Sequence, residues 1–193
     1  MFARHSQAET PADNVLQANS DTAIMDFSGT EAIPFLTAIL GLDINKLTAS
    51  GIGLRSSLDD DLTSSYAYAL YYFNETAFRF VLGKDASVQL QSLINEQQLR
   101  YDIDYVMRDD LSALTLSGEQ AFDALVDSFK LTPGLRLSDM RSCYGAQSGE
   151  VFITAIDNQA TQQFQLVARQ AELDKWQTHL QQLGFDLALA NVA

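Results

Sequence analysis

Two blocks of this sequence recur in the same order at nearly the same spacing, and this internal repeat limits the possible folds more than any other feature. The first block, SGTEAIPFL at 28–36, matches SGEQAFDAL at 117–125 with an offset of 89 positions. The second block spans 73–94 and matches 156–180 with an offset of 86 positions. Because self-similarity at a fixed spacing marks repeated structural units, the sequence predicts two similar halves.

The first half has the pattern of an α+β unit. A short apolar strand at Ala23–Phe27 ends at a Ser-Gly turn, and a helix with an acidic residue in its first turn follows. Two apolar runs between Tyr66 and Leu82 flank Asn74-Glu75-Thr76, which is typical of a hairpin. A helix over Ala86–Gln98 and a strand over Ile103–Met107 complete the β-α-β-β-α-β order of ferredoxin-like folds.

The second half repeats this pattern. Its first strand is Leu111–Leu116, its β-rich stretch Val151–Val167 contains a turn sequence at 157–159, and its second helix is Gln170–Leu183. We therefore predict an α+β fold of two ferredoxin-like halves, at 22–110 and 111–193, which pack edge to edge or face to face. The polar, aperiodic residues 1–21 are predicted to form a flexible tail.

Charge and composition disfavour several classes of protein. A formal net charge of −13 repels phosphate backbones and anionic headgroups, so nucleic acid and membrane partners are not expected. The chain has one cysteine, Cys143, and two histidines, His5 and His179, which disfavours disulfides, thiolate metal sites and most hydrolase mechanisms. The acidic run 59–61 is interpreted as a solvated loop, and no metal is expected. No apolar run reaches the roughly 20 residues that span a bilayer, so we expect a cytoplasmic protein.

Three segments together resemble a known family. They are SGTEAIPFLTAILGLDINKLTASG at 28–51, YYFNETAFRFVL at 71–82 and VMRDDLSALTLSGEQA at 106–121. In order and spacing they are similar to the N-terminal folate-binding region of the glycine-cleavage T protein, an aminomethyltransferase that transfers a one-carbon unit to tetrahydrofolate. Similar domains occur in a folate-binding protein that supports iron–sulfur enzymes and in subunits of multi-chain sarcosine oxidases. The resemblance implies tetrahydrofolate as a ligand, and the family's C-terminal barrel has no counterpart in this sequence.

The resemblance also implies candidate site residues, in two alternative registers. When the YYF strand is used as the anchor, Tyr66-Ala67 falls where the family has a catalytic Asp-Asp pair, so the carboxylate is absent. The other register matches Asp60-Asp61-Leu62 to the family triplet and keeps Asp60 as the catalytic residue. A family asparagine that contacts folate falls at Gly83, and a glutamate suited to the pterin amidine edge falls at Gln165.

The aromatic run that includes Tyr66 and Tyr68 has two possible roles. These rings could stack on a pterin. On a strand, however, alternate residues point to opposite faces, so about half of the run would pack in the core. Tyr66, Tyr68, Gly83 and Gln165 are therefore the candidate folate-binding residues, at the seam between the two halves.

Three functional hypotheses follow from the resemblance. The first is a truncated, catalytically degenerate T-protein-like domain in one-carbon or glycine metabolism, which binds a folate-like ligand or a partner subunit. The second is an active tetrahydrofolate-dependent aminomethyltransferase that uses Asp60 together with a partner chain supplying the missing domain. The third is a non-catalytic structural subunit of a sarcosine-type amine oxidase. A homodimer is a further possibility.

Overall fold

A computed structural model of the chain describes residues 14–47, 52–59, 67–131, 142–157 and 163–188. In chain order its elements are β1 (Val15–Asn19), β2 (Thr22–Ser28), α1 (Ala32–Ala38), β3 (Ile52–Ser57), β4 (Ala67–Asn74), β5 (Ala77–Gly83), α2 (Lys84–Gln97), β6 (Asp104–Met107), β7 (Ser112–Ser117), α3 (Ala121–Phe129), β8 (Ser142–Ser148), β9 (Val151–Asp157), β10 (Gln163–Ala168), α4 (Gln170–Gln182) and β11 (Asp186–Leu187). A single 3-10 turn, Ile44–Lys46, follows α1. None of the helices in these ranges is long and apolar enough to cross a membrane.

The strands form one sheet in the order β11-β1-β7-β10-β9-β8-β3-β4-β5-β2-β6. In the first half, β6, β2, β5 and β4 follow the ferredoxin-like arrangement, in which the first strand lies between the last and the third. The second half has the same arrangement in β11, β7, β10 and β9, except that β1 is inserted between β7 and β11. The predicted α+β fold of two ferredoxin-like halves is confirmed.

Each half has one strand more than predicted, and these two strands join the halves. β3 and β8 occupy equivalent places in the repeat and pair antiparallel with each other, with Gly53 opposite Cys143. Both strands contain glycine and serine and lack the clear apolar alternation of β4 or β10. Backbone pairing with each other and with β4 and β9 stabilises these strands, and the local apolar pattern did not reveal them.

The predicted flexible tail is wrong for residues 15–19, which form β1. This strand pairs antiparallel with β7 and parallel with β11, so it lies in the sheet of the second half. Leu16 is its only fully buried residue. One apolar anchor gives little sequence signal, and backbone pairing on both sides supplies the remaining stability. Residues 1–13 lie outside the described residues.

The apolar residues form three clusters, arranged in layers. One lies between the first-half strands and helices α1 and α2, and contains Phe27, Phe35 and Leu90. A second lies between the second-half strands and helices α3 and α4. The third contains Tyr71 and Phe152 and draws on β2, β4, β7, β9 and β10. Because the third cluster contains residues of both halves, the helix-free faces of the two halves pack against each other.

The repeated Ser-Gly turns have the same backbone geometry in both halves. Gly29 has φ +144° and Gly118 has φ +122°, a region that residues with a side chain rarely adopt. A side chain at Gly29 would also run into the backbone carbonyl of Asp102, since the loop before β6 passes directly over it. The repeat found in the sequence therefore marks a required turn and not a chance match.

Candidate functional site

A cavity of about 260 Å³ lies at the seam where the helix-free faces of the two halves meet. Its lining comes from β2, β3, β4 and β5 of the first half on one side and from β1, β9 and β10 in the sheet of the second half on the other. The side chains whose strand positions face the seam include Asn19, Thr22, Arg55, Tyr71, Thr154 and Gln165. The seam was the predicted place for a site, and this cavity lies there.

Gln165 is a polar residue within the largely apolar strand β10. Its neighbours Phe164 and Leu166 face the helix-side core, so Gln165 faces the seam, where it is only 4% exposed. Its side-chain amide donates a 3.3 Å hydrogen bond to Thr22 Oγ1 on β2. This contact joins the two halves across the cavity. A buried carboxamide keeps a donor and an acceptor available for a ligand edge.

The other seam-facing polar groups are mostly neutral. Asn19 Nδ2 donates a 2.5 Å hydrogen bond to Thr115 Oγ1, which fixes the amide at the end of β1. Thr154 is buried on β9. Arg55 is the only charged residue among the described residues of the lining, which includes no carboxylate. This surface suits an uncharged or anionic polar heterocycle better than a cation.

Tyr68 is positioned differently from the prediction. Its backbone is at the cavity, but on β4 its side chain lies on the helix side, where its ring packs edge-on against Phe80 at 5.4 Å. Burial raises the pKa of Tyr68 to about 12, against an opposing effect of the Ser56 hydroxyl. Within the part of the chain that the structure describes, Tyr68 Oη nevertheless has no partner in hydrogen-bond geometry. Tyr71, three residues along, is the tyrosine that faces the seam, where its ring contacts Phe152 at 5.1 Å.

The remaining predicted residues fall in two groups. Gly83 ends β5 directly opposite Thr22, so it adjoins the cavity through the backbone. Its φ of −69° is ordinary extended backbone that any residue can adopt. Asp60 and Tyr66 lie outside the described residues, so the choice between the two registers stays a prediction.

The sequence did not reveal a network of charges next to the seam. Asp26 on β2 accepts hydrogen bonds from Arg79 Nε at 2.6 Å, Arg79 Nη2 at 3.0 Å and Arg108 Nη1 at 2.6 Å. Arg108 also binds Asp110 through two 2.8 Å hydrogen bonds. The guanidinium of Arg79 lies 5.3 Å from the ring centroid of Phe152 in the second half. A lone arginine inside the apolar strand FRFVL was the available signal, since a buried arginine needs a carboxylate partner.

The pKa of Asp26 is determined by opposing effects. Burial alone would raise it, but the hydrogen bonds from Arg79 and Arg108 outweigh burial and lower the pKa below its usual value. Hydrogen bonds from Arg108 likewise lower the pKa of exposed Asp110 to about 2. The lowered pKa values keep both carboxylates charged at neutral pH. The network lies within the first half, where it joins β2 and β5 to the turn after β6, and Asp110 also lies 3.8 Å from Arg169 of the second half.

Comparison with known proteins gives a consistent answer on the fold. No model of a known protein family matches the sequence. The structure is similar to the glycine cleavage system aminomethyltransferase T of Bartonella henselae, with a TM-score of 0.72 and 19% identity. The similar region covers 93% of this chain and 48% of that one, so this chain spans about half the length of that protein.

A second solved structure matches over nearly its whole length. It is a chain of the heterotetrameric sarcosine oxidase of Corynebacterium sp. U-96, with a TM-score of 0.60 and 12% identity. The match covers 92% of this chain and 88% of that one. Both similarities agree with the resemblance seen in the sequence. The chain therefore has the fold of the N-terminal part of a glycine-cleavage T protein.

Proposed function

We propose that this chain is a T-protein-like module that binds a folate-like heterocycle in the seam cavity and works within a larger assembly. The observation that carries the proposal is the seam cavity itself, in which buried Gln165 bridges the two halves. In the T-protein family, which the sequence resembles, the ligand cavity is expected at the seam between the two corresponding halves. Tetrahydrofolate is accordingly the proposed ligand.

The chemistry of the cavity fits a flat heterocycle. Tyr71 and Val81 offer apolar surface, while Thr154 and Gln165 offer hydrogen-bonding groups on the opposite side. Ligand sites for whole cofactors usually occupy roughly 300–1,000 Å³, and this cavity of about 260 Å³ is slightly smaller. We infer that it holds the ring of the ligand while the rest extends outward, where a partner chain would complete the site.

The proposal includes catalytic degeneracy. It follows the register in which Tyr66-Ala67 replaces the carboxylate pair of the family, because a tyrosine with an ordinary pKa near 10 supplies no negative charge at neutral pH. The active alternative assigns that role to Asp60, with a partner chain completing the site. The degenerate and the active hypotheses differ in whether the chain catalyses one-carbon transfer, but both predict the same ligand.

The ligand proposal is tested by calorimetric titration of the purified protein with tetrahydrofolate under anaerobic conditions. We expect binding to the wild type and at least tenfold weaker binding to Gln165→Leu, which keeps the volume and removes the amide. Gln181→Leu, at an exposed position on α4, is the matched control and should bind like the wild type. Absence of heat at millimolar ligand would remove the proposal, as would equal affinity of Gln165→Leu.

A second candidate function, a non-catalytic structural subunit, is favoured by the sarcosine oxidase comparison. That structure is described as heterotetrameric, and one of its chains is matched over 88% of its length by this chain. A domain of this size can therefore be a whole subunit. The test is coexpression of the tagged chain with an amine-oxidising flavoprotein encoded beside it, followed by size-exclusion chromatography with light scattering. Coelution supports the subunit role, whereas elution of a separate monomer opposes it.

A further inference from the structure

A second and larger depression, of about 830 Å³, lies between α3 and α4 on the outer face of the second half. We call it the α3–α4 groove. Its lining includes Asp123, Ala124, Asp127, Trp176, His179 and Leu183. It lies on the helix side of the second half, opposite the face that forms the seam, and the proposed ligand site does not use it.

The floor of the groove is rigid. Phe129 stacks on Trp176 with 3.9 Å between ring centroids, and Trp176 meets His179 edge-on at 5.5 Å. Ser128 Oγ and His179 Nε2 are 3.2 Å apart and form a hydrogen bond between the two helices. At one end Leu183 is 45% exposed, which is unusual for a large apolar side chain beside a cavity. The groove thus keeps its shape with apolar surface open to water.

The internal repeat explains why the groove is open. Ala124 is the fourth residue of α3, and the fourth residue of α1 is Phe35. Phe35 is fully buried and packs between the rings of Phe27 and Tyr101. The same position in the second half therefore lacks an entire benzyl group. α3 carries rings elsewhere, at Phe122 and Phe129, but the methyl group of Ala124 leaves room in the groove for a ring supplied from outside.

The charges beside Ala124 indicate which charge the side chains of a partner should carry. Asp123 and Asp127 lie one turn apart on α3, both exposed and both lining the groove. Lys130, at the end of α3, also lines the groove, but it forms no ion pair with either aspartate. Neither aspartate forms an ion pair with another described residue, whereas Glu172 across the groove binds Lys175 at 2.7 Å. Like charges one helical turn apart repel each other. Cationic side chains of a partner would remove this repulsion.

We propose that the α3–α4 groove binds an amphipathic helix of a partner protein, which seats a phenylalanine over Ala124 and places lysine or arginine residues beside Asp123 and Asp127. An amphipathic helix suits a groove between two helices because residues at one-turn spacing supply the anchors along one face. A second anchor, such as leucine, would cover Leu183. The proposal does not depend on folate binding at the seam.

Trp176 is the chain's single tryptophan, so its fluorescence reports on the groove alone. The probe is a synthetic amphipathic helix of about 12 residues, long enough for three turns, with one Phe, one Leu a turn later, and Lys on both flanks. Matched peptides replace Phe by Ala, or every Lys by Glu. We expect the first peptide to change Trp176 emission saturably, and both matched peptides to bind at least tenfold more weakly. No change at millimolar probe would overturn the proposal, as would equal binding of the Glu peptide.

Two variants of the protein test the same proposal by changing the groove instead of the peptide. Ala124→Phe restores the ring found in the first half, so it should fill the groove and weaken peptide binding at least tenfold. Asp123→Asn with Asp127→Asn should weaken binding similarly and reduce its dependence on salt. The control is Asp85→Asn with Glu96→Gln, which removes two exposed carboxylates from α2 and should change nothing.

The two variants together show whether the α3–α4 groove binds the peptide, even if one of them does not fold. If Ala124→Phe fails to fold, as judged by circular dichroism and thermal unfolding, the variant with both Asp123 and Asp127 replaced still decides it. Wild-type affinity in that variant would overturn the proposal. A wild-type protein that dimerises, with Ala124→Phe monomeric, would show that a second copy fills the groove and would also overturn it.

Discussion

Replacing Asp26 with asparagine is the most informative test of the charge network that borders the seam. The Asp26 carboxylate compensates two guanidinium groups, those of Arg79 and Arg108, and its side chain is 32% exposed. The side chain of Arg79 is only 10% exposed and lies beside Phe152 of the other half. The substituted asparagine would keep one acceptor oxygen but lose the charge, so Arg79 would remain buried without full compensation.

The expected cost follows from this burial. Breaking a fully buried ion pair costs about 3–5 kcal/mol, and exposed pairs contribute about 0–1 kcal/mol. Because Asp26 is about one-third exposed, we expect Asp26→Asn to lower the free energy of unfolding by about 2 kcal/mol at pH 7. For a domain of this size that corresponds to a fall of roughly 4–8 °C in Tm.

The pH dependence gives an independent check with a definite sign. The folded-state pKa of Asp26 is lowered below its unfolded value, which is about 3.9. The stabilisation is therefore fully present above about pH 4 and is lost as pH falls through the lower folded-state pKa. The difference in stability between wild type and Asp26→Asn should be constant from about pH 8 to 5 and shrink below about pH 4.

Urea denaturation across this pH range, followed by circular dichroism, measures the difference directly. Asp109→Asn is the matched control, because Asp109 is exposed in the turn beside Arg108 and takes no part in the network. A loss below about 0.5 kcal/mol at pH 7, the size of an ordinary surface substitution, would refute the reasoning. So would a difference that stays constant down to about pH 3, since the effect would then not come from the Asp26 charge.

Three further predictions concern the fold and the site. Gly29→Ala should cost several kcal/mol in urea denaturation, because its Cβ meets backbone at Asp102 and its φ is unfavourable, whereas Gly41→Ala, with open space around it, should cost only about 1–2 kcal/mol. Gly145→Ala should cost about 1–3 kcal/mol by overpacking the aromatic rings at the seam, and a neutral result would show that those rings can move. Asp60→Ala should abolish folate-dependent one-carbon transfer by the chain with its partner if the active alternative is correct, and unchanged turnover would exclude that role for Asp60.

Sequence reasoning succeeded where an element buries one face against its own half. The helices α2 and α4 carry apolar residues at helical spacing, and β4, β5, β9 and β10 carry them at strand spacing, so all six were predicted in type and order. It failed for β1, β3 and β8. β1 is stabilised by backbone pairing with the distant strands β7 and β11, and β3 and β8 by pairing with each other and with their neighbours β4 and β9. Backbone pairing leaves little trace in the apolar pattern of the strand itself.

The site was predictable only in part, for the same physical reason. Gln165 was predicted as a ligand contact from the resemblance to the T-protein family, and its side chain is buried at the seam. The sequence did not show which of Tyr68 and Tyr71 faces the seam. Strand alternation gives two opposite faces but does not say which of them packs against the helices. The face was fixed by the pairing of β4 with β3 and β5, which the sequence did not specify.

The repeat also offers a way to separate packing from function. Two halves with one fold impose similar packing demands, and a change in size at one position can be compensated by a neighbour, as with Phe122 in place of Ile33. A change that leaves open space beside it is not compensated in this way. Phe35 is fully buried in α1, whereas Ala124 at the same place in α3 leaves a groove beside the single tryptophan. The stability of the second half alone does not require that vacancy, since Ala124→Phe would bury more apolar surface there. A vacancy that lowers the apolar burial of its own half is better explained by something that enters it.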